Sequence, residues 1–250
     1  MHKTLTGAAL AAALLTPQFA NADFLSIYGG IEGWRVDPTG TFGDSQQTTA
    51  TFNYNEETAT GFYIGFEHPI PLIPNLKLRR DSVDTDGQTT LTGSFTLNGT
   101  TYTSGTTVSS DVSLTQTDVV VYWELLDLDL FSFDLGLNAK YIDTELTADD
   151  GTTIATDNFK GWVPMVYAAT EISLPSLPLS LWAEGSYIGY SGDSFSDTRI
   201  AIKYNLVETL PMDLSLSLGY RALKIEVDDL DDVFADIDFS GYYAGIELRF

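Results

Sequence analysis

The sequence of 250 residues contains no cysteine and only two histidines, His2 and His68. A chain without cysteine forms no disulfide bonds and has no Cys/His nucleophile pair. A serine hydrolase with a histidine base is also disfavoured, because His2 lies in an expected leader and His68 precedes Pro69 in an expected turn. Carboxylates are so abundant that no single pair of them indicates acid–base catalysis. We therefore predict that the protein is not an enzyme and has no catalytic, cofactor-binding or metal-binding residues.

Positively charged residues and long apolar segments are also scarce. The 12 Lys and Arg residues are outnumbered by 35 Asp and Glu residues, which gives a formal net charge of -23. Repulsion from phosphates therefore argues against nucleic acid as a partner. The charge is typical of an acidic, water-exposed exterior, and the alternative is specific cation binding. After residue 22, no segment reaches the roughly 18 uninterrupted apolar residues that a membrane-spanning helix needs.

The first 22 residues have the pattern of a secretory signal peptide. His2 and Lys3 precede an apolar run over residues 8–15, and Ala20-Asn21-Ala22 supplies a cleavage site between small residues. The apolar run is too short to cross a bilayer of about 30 Å as a helix. We predict a cleaved segment at 1–22 and a single mature domain at 23–250.

The mature chain is rich in segments where apolar and polar residues alternate, so that successive side chains point to opposite faces of a β-strand. At the end of the chain, one face carries Tyr242, Ala244, Ile246, Leu248 and Phe250, and the other carries Tyr243, Glu247 and Arg249. One face suits lipid and the other a wet lumen. Similar segments predict about ten strands, near residues 24–36, 60–68, 75–83, 111–125, 128–144, 158–174, 178–190, 195–207, 213–227 and 234–250.

The connections between these segments alternate between two kinds. Those at 69–74, 126–127, 175–177 and 208–211 are compact, whereas those at 37–59, 84–110 and 145–157 are long, polar and acidic. A transmembrane up-and-down β-barrel has short turns on the periplasmic side and longer loops outside, and a soluble β-sandwich has no reason to keep that order. We predict an all-β, antiparallel transmembrane barrel of about ten strands, with eight or twelve as alternatives and both termini in the periplasm.

Two local patterns add detail to this barrel. Asn98-Gly99, a pair favoured in type I′ turns, joins two threonine-rich segments and predicts a hairpin that projects above the membrane. Aromatic residues on the outward face predict one girdle near each membrane border. The outer girdle contains Tyr141, Tyr187, Tyr220 and Tyr242, and the inner girdle contains Phe66, Trp123, Phe131 and Phe250.

The inward face of the strands carries most of the bases. In a narrow barrel, inward charges of opposite sign can pair and fill the interior as a structural plug, and the alternative is a selectivity ring along a small pore. Parity is ambiguous in the strands near 111–125 and 158–174, and Pro164 predicts a bulge or distortion in the latter. The predicted lumen charge network consists of Glu32, Glu67, Lys77, Arg79, Glu124, Asp134, Lys140, Glu184, Arg199, Lys203, Arg221, Glu247 and Arg249.

One acidic run, at residues 228–232, deserves a separate hypothesis. With Glu226 and Asp236 nearby, its oxygens could ligate Ca²⁺, but the run lacks the glycine and terminal glutamate spacing of an EF-hand loop. A simple solvated loop is the favoured interpretation.

Residues 23–30 (DFLSIYGG) and 241–250 (GYYAGIELRF) resemble a family of small outer-membrane proteins from marine γ-proteobacteria. That family is characterised by a Gly-Gly pair near the mature N-terminus and by a C-terminal strand ending in phenylalanine. It carries no assigned activity, so the resemblance implies fold and location but no site residues. The Phe250 strand also resembles the signal that barrel-assembly machinery recognises.

These observations predict a non-enzymatic outer-membrane β-barrel of a Gram-negative bacterium, with acidic extracellular loops and a structural or surface-interaction role. The alternative is a small, porin-like diffusion channel for ions or small solutes. The expected partners are outer-membrane lipid and lipopolysaccharide and the barrel-assembly machinery, with no cofactor and no nucleic acid. Cations at the acidic loops are a further candidate partner.

Overall fold

A computed structural model of the chain describes residues 25–70, 72–209, 212–230 and 233–250, and the expected signal peptide lies outside these ranges. In the described ranges, no helix is long and apolar enough to cross a membrane. The strands are β1 (Ser26–Gly43), β2 (Ala50–Asn53), β3 (Glu57–Glu67), β4 (Asn75–Thr90), β5 (Phe95–Leu97), β6 (Thr100–Tyr102), β7 (Thr107–Leu128), β8 (Phe131–Asp149), β9 (Ile154–Ser173), β10 (Leu179–Tyr190), β11 (Asp193–Thr209), β12 (Met212–Leu230) and β13 (Val233–Arg249).

Ten of these strands form a closed antiparallel barrel in the order β1, β3, β4 and β7 to β13. Closure is made by β13 and β1, which pair from Tyr28 with Arg249 to Gly43 with Phe234. At the chain end, the backbone N–H groups of Ile27 and Phe250 each donate to the other residue's carbonyl, at 3.0 and 2.8 Å. The predicted fold class is confirmed, and closure leaves no edge strand at this junction.

The three segments expected to be long loops are mostly strand. β1, β4 and β8 continue far past the predicted ends, and β8 and β9 are joined by a turn of only four residues, 150–153. In β4, buried and exposed side chains alternate regularly over a stretch with few apolar residues. Hydropathy does not reveal such strands, because one face is exposed to water and the other face also carries polar or small residues. Threonine nevertheless favours the extended backbone of a strand. The barrel wall therefore rises well beyond its apolar part.

We call the end with the β5–β6 hairpin the loop end, and the end with the short connections the turn end. An outward apolar belt surrounds the barrel nearer the turn end, with Ile31, Leu218 and Ile246 among its exposed members. At its loop-end border, the rings of Tyr220 and Tyr242 lie 5.3 Å apart, and those of Tyr141 and Trp162 lie 5.1 Å apart. At the other border, the partly exposed aromatic side chains include Phe66, Trp123 and Phe250. This is the arrangement of two aromatic girdles.

The two ambiguous strands acquire a definite parity. Leu114, Gln116 and Asp118 of β7 and Met165 and Tyr167 of β9 are buried. The expected distortion at Pro164 is absent, because β8 and β9 pair without a register shift.

The position of Pro164 in the sheet explains why strand β9 tolerates a proline there. Leu174, at the same parity, directs its N–H to the carbonyl of Leu179, and pairing between β9 and β10 ends at Val166 with Tyr187. The N–H that Pro164 lacks would therefore point to a side with no paired strand. The irregularity instead falls in β7, between Glu124 and Leu126.

Closure of β13 on β1 predicts a strong effect of adding one methyl group. A Cβ at Gly241 would overlap the carbonyl oxygen of Arg35, whereas a Cβ at Gly33 would meet nothing within 4 Å. We expect Gly241→Ala to destabilise the barrel by about 1–3 kcal/mol. The measurement is the urea midpoint of the heat-modifiable gel shift, with Gly33→Ala as the matched control. Equal midpoints for the two variants would contradict the close approach.

Candidate functional site

The lumen side chains near the middle of the barrel are charged, buried and paired. Lys140 is 0% exposed, and its Nζ donates to Gln116 Oε1 at 3.0 Å, to Asp118 Oδ2 at 2.9 Å and to Asp197 Oδ2 at 3.0 Å. Arg221 donates through Nε and Nη2 to both carboxylate oxygens of Asp197, at 3.0 and 2.8 Å. Two bases thus share one carboxylate, and neither leaves its charge unpaired.

A second cluster extends this network to other strands. Arg79 of β4 lies 3.2 Å from Glu32 of β1 and 3.1 Å from Glu184 of β10. Lys77 Nζ lies 2.5 Å from the second oxygen of Glu184, and Arg199 of β11 lies 3.4 Å from both carboxylates. The pairs of Lys77 and Arg79 with Glu184 join β4 to β10 across the lumen.

A third cluster occupies the turn end. Lys203 lies 3.3 Å from both Glu171 and Glu247, and the hydroxyl of Tyr63 donates to Glu247 at 2.7 Å. Arg249 pairs with Glu67. The last charged residue of the chain therefore belongs to the network, as strand parity predicts.

Eleven of the thirteen residues predicted for the network form ion pairs in the lumen, and the other two are Glu124 and Asp134. Glu124 is exposed at the turn end, beside the irregularity in β7. Asp134 is partly buried, and its Oδ1 has no hydrogen-bond partner among the described residues. Parity alone therefore assigns an inward direction but not a partner.

Sequence analysis missed four acids of the network. Asp81 and Asp197 have the same parity as Arg79 and Arg199, so alternation was a sufficient signal for both. Asp118 and Glu171 lie in the two strands whose parity was ambiguous, and there the sequence offered no clear signal. The added acids balance bases that otherwise lack enough partners, and they complete the layer.

The β5–β6 hairpin closes the lumen above this charged layer. Its turn residues Asn98 and Gly99 have φ of 47° and 74°, as the predicted turn requires. The hairpin lies beyond the loop-end girdle, as expected, but it packs against the inward face of the extended wall instead of projecting freely. Phe95, Leu97 and Tyr102 are buried against apolar residues of the wall, and the ring of Phe95 lies 5.5 Å from that of Phe52. Apolar residues alternate along the hairpin and give it one apolar face. Packing of this face against the apolar residues inside the barrel removes it from water.

Polar contacts hold the hairpin in this position. The carboxylate of Asp44 accepts from the backbone N–H groups of Asn98 and Gly99, at 2.9 and 2.7 Å. The hydroxyl of Tyr102 donates to the carbonyl of Ala148 at 2.8 Å. The hairpin is thus fixed at its tip and at its base.

The charged side chains of the lumen and the apolar side chains of the hairpin are buried. A void among Lys77, Asp118, Glu184 and Arg199 measures about 20 Å³, which is room for about one water molecule. The charged layer and the apolar hairpin thus occupy successive levels of the lumen.

The exterior at the loop end is strongly acidic. Seven of the 12 bases line the lumen, and the described bases on the outward face are Arg35, Arg80, Lys160 and Lys224. Some exposed acids lie directly opposite one another on neighbouring strands, as Asp86 with Asp111 and Glu226 with Asp236. Such like-charged pairs are destabilising at low salt.

Two features of this exterior bear on metal binding and catalysis. Within the described ranges, no three His, Cys, Asp or Glu side chains form a metal-binding set, and residues 231–232 of the acidic run lie outside those ranges. In the 150–153 turn, hydrogen bonds from the Thr152 hydroxyl and from the backbone N–H groups of Thr152 and Thr153 hold the pKa of Asp150 below its usual value. The Asp150 carboxylate therefore stabilises the turn by accepting these hydrogen bonds.

His68 lies at the turn end, far along the strand from the acidic exterior. Its backbone N–H donates to Asn75 Oδ1 at 3.1 Å, and its Nδ1 accepts from the backbone N–H of Ile70 at 3.2 Å. These contacts shape the β3–β4 turn.

Comparison with known proteins gives fold information. No protein-family model and no curated protein sequence matches the chain. The structure is similar to the outer membrane protease OmpT from Escherichia coli, with a TM-score of 0.55 and 10% identity, over 94% of this chain and 99% of that one. It is also similar to the translocator domain of the autotransporter NalP from Neisseria meningitidis, with a TM-score of 0.45 and 10% identity, over 97% and 92% of the two chains.

The closed ten-stranded architecture therefore resembles that of outer-membrane β-barrels. At 10% identity, the likeness to OmpT concerns the fold alone.

The buried ion pairs predict a large effect of removing one base. Lys140→Met leaves two buried carboxylates with one partner fewer, and we expect a loss of about 3–5 kcal/mol in the free energy of unfolding. Lys160→Met is the matched control, because the Lys160–Asp143 pair is exposed and solvent already screens it. Urea titration of both refolded variants measures the difference. A Lys140→Met barrel as stable as the Lys160→Met barrel would contradict the structural role of the network.

The acidic exterior predicts that stability rises with salt. Asp111→Asn removes the repulsion from Asp86, so we expect a higher urea midpoint than the wild type at low ionic strength. The difference should shrink as NaCl shortens the Debye length, which is about 10 Å at 0.1 M. Asp37→Asn is the control, because Asp37 is an exposed acid that lies opposite Ser240 rather than another acid. A gain at low salt that persists unchanged in high salt would contradict an electrostatic cause.

Proposed function

We propose that the protein is a non-enzymatic, closed β-barrel of the outer membrane, with a structural or surface-interaction role. The apolar belt between two aromatic girdles supports a membrane location, since such rings settle at the borders of the bilayer. Both ends of the barrel chain lie at the turn end, which we assign to the periplasm. The resemblance of residues 23–30 and 241–250 to small outer-membrane proteins and the Phe250 strand as an assembly signal support the same location.

The filled lumen is the observation that carries the closed state. The charged layer closes the barrel from Arg249 to Lys140, and the hairpin around Phe95 closes it beyond that point. A diffusion channel, the rival hypothesis, requires both layers to leave a continuous path. Because each lumen base is held by carboxylates, opening that path would separate several buried ion pairs at once.

The proposed lack of enzymatic activity rests on how accessible the acidic side chains are to a substrate. The acids that a catalytic mechanism needs beside a base are the lumen acids, and these are buried and neutralised by Lys and Arg. The loop-end acids are accessible, but many of them repel one another or hold turns. OmpT is a protease by name, and that activity is not carried over at this identity.

The acidic loop end is the surface that we propose for interaction. Its charge attracts cations and basic surfaces and repels anionic polymers. Outer-membrane lipid and lipopolysaccharide would surround the belt below it.

Conductance tests the closed lumen directly. We expect refolded protein in planar bilayers to give no reproducible conductance steps. A variant in which residues 92–105 are replaced by Gly-Gly should remain closed, because the charged layer is independent of the hairpin. Steps in the wild type that change in size with Arg221→Gln would contradict the closed barrel and favour the diffusion channel. Turnover of a lipid or peptide that is lost on replacing a single loop-end acid would contradict the non-enzymatic role.

A further inference from the structure

A broad depression lies on the outward wall of the barrel, over the strands around the β13–β1 closure. It is open to the outside, has a volume of about 1020 Å³ and extends along the wall from Thr115 of β7 to Tyr204 of β11. Its lining includes Ile31, Phe62, Ile246 and Leu216, which are all exposed apolar side chains, together with Arg80. Contact between such an apolar surface and water is unfavourable, whereas the acyl chain of a membrane lipid would cover the surface favourably.

The strand register shows how this depression is built. Arg80 pairs with Phe62, Phe62 with Ile31, and Ile31 with Ile246, so their outward side chains form one ridge across four strands. The neighbouring row, beside this ridge, runs through Ser82, Thr60, Gly33 and Ala244 and consists of small residues. A Cβ at Gly33 would meet nothing within 4 Å, which shows that the floor of the depression is open there.

Arg80 differs from the other outward bases of the described chain. Lys160 lies 3.1 Å from Asp143, Lys224 lies 3.0 Å from Asp238, and Arg35 pairs with Glu56. Arg80 instead donates from Nη1 to the hydroxyl of Thr117 at 2.9 Å, with no carboxylate within ion-pair distance among the described residues. A guanidinium has five donors in a planar fork that matches phosphate.

The position of Arg80 also suits a headgroup. The row of paired residues continues from Arg80 to Thr117, Tyr141 and Trp162, the last two of which belong to the loop-end girdle. In the opposite direction, the ridge passes through Phe62 and Ile31 into the apolar belt. Strands in such barrels tilt by about 35–45°, so a row across them descends through the bilayer. Arg80 is thus the charged residue at one end of a ridge whose other residues are apolar.

We propose that this depression binds a phosphate-bearing glycolipid of the outer leaflet, with a lipid phosphate on Arg80 and acyl chain along Phe62, Ile31 and Ile246. This inference rests on the proposed outer-membrane location. The strongly acidic exterior repels free phosphate, so the apolar contact must supply much of the binding. A lipid satisfies both the guanidinium and the apolar ridge.

Native mass spectrometry of the refolded barrel in detergent tests this site. The probes are purified lipid A, dephosphorylated lipid A, phosphatidylglycerol and inorganic phosphate. Arg80→Gln removes the charge, and Gly33→Leu fills the floor while it retains Arg80. Lys224→Gln is the matched control, since it removes another outward base. Heat-modifiable migration verifies that each variant is folded.

We expect one lipid A to bind per barrel and Arg80→Gln to weaken it about tenfold, the effect of losing one charge-assisted contact. Gly33→Leu and dephosphorylated lipid A should each weaken binding, and Lys224→Gln should not. Equal binding by wild type and Arg80→Gln, equal binding with and without lipid A phosphate, or tighter binding of phosphatidylglycerol would overturn the proposal. A folded, non-conducting barrel that fails this test still satisfies the proposed function, whereas conductance would contradict that function alone.

Discussion

The pairing of buried charges across the lumen is the interaction on which the rest of this structure depends. A ten-stranded barrel is too narrow for open water and too wide for a single layer of apolar side chains, so inward groups must find partners across it. Lys140 and Arg221 meet Asp197 near the middle, and Arg249 meets Glu67 at the turn end. The Lys140–Asp197 and Arg249–Glu67 pairs, and the pair of Arg221 with Asp81, connect strands that are not neighbours in the wall.

The same pairing explains the charge distribution outside. Because most of the bases are used in the lumen, the loop-end exterior retains few of them against many acids. The exterior at the loop end is therefore strongly negative, and it is carried by the barrel whose lumen holds most of the bases. Arg80 is an exception, since its guanidinium faces outward on the apolar wall and no carboxylate of the described residues lies within ion-pair distance of it. The proposed interaction role and the proposed lipid site both concern the outer surfaces of the barrel.

Much of the fold was predictable because alternation is a local property. Ile31 and Leu218 face outward, and Arg199 and Arg221 face inward, as parity predicts. The prediction was weakest where both faces are polar, as in β4 beyond Val83, because hydropathy then carries no alternation. The hairpin and its turn were predicted, but its inward packing was not, since Phe95 and Tyr102 could be assigned to a buried face only once the lumen was known to lie beside them.

The sequence by itself determined the all-β class, the approximate number of barrel strands, the direction of most side chains and the identity of most lumen charges. Only the tertiary structure decided which charges meet, as when Glu184 pairs with Lys77 and Arg79 of another part of the chain. It also decided that the hairpin packs inward and that, among the described residues, Arg80 has no carboxylate within ion-pair distance. The physical reason is that face and period are properties of neighbouring residues, whereas partners depend on the shear and closure that bring distant strands together.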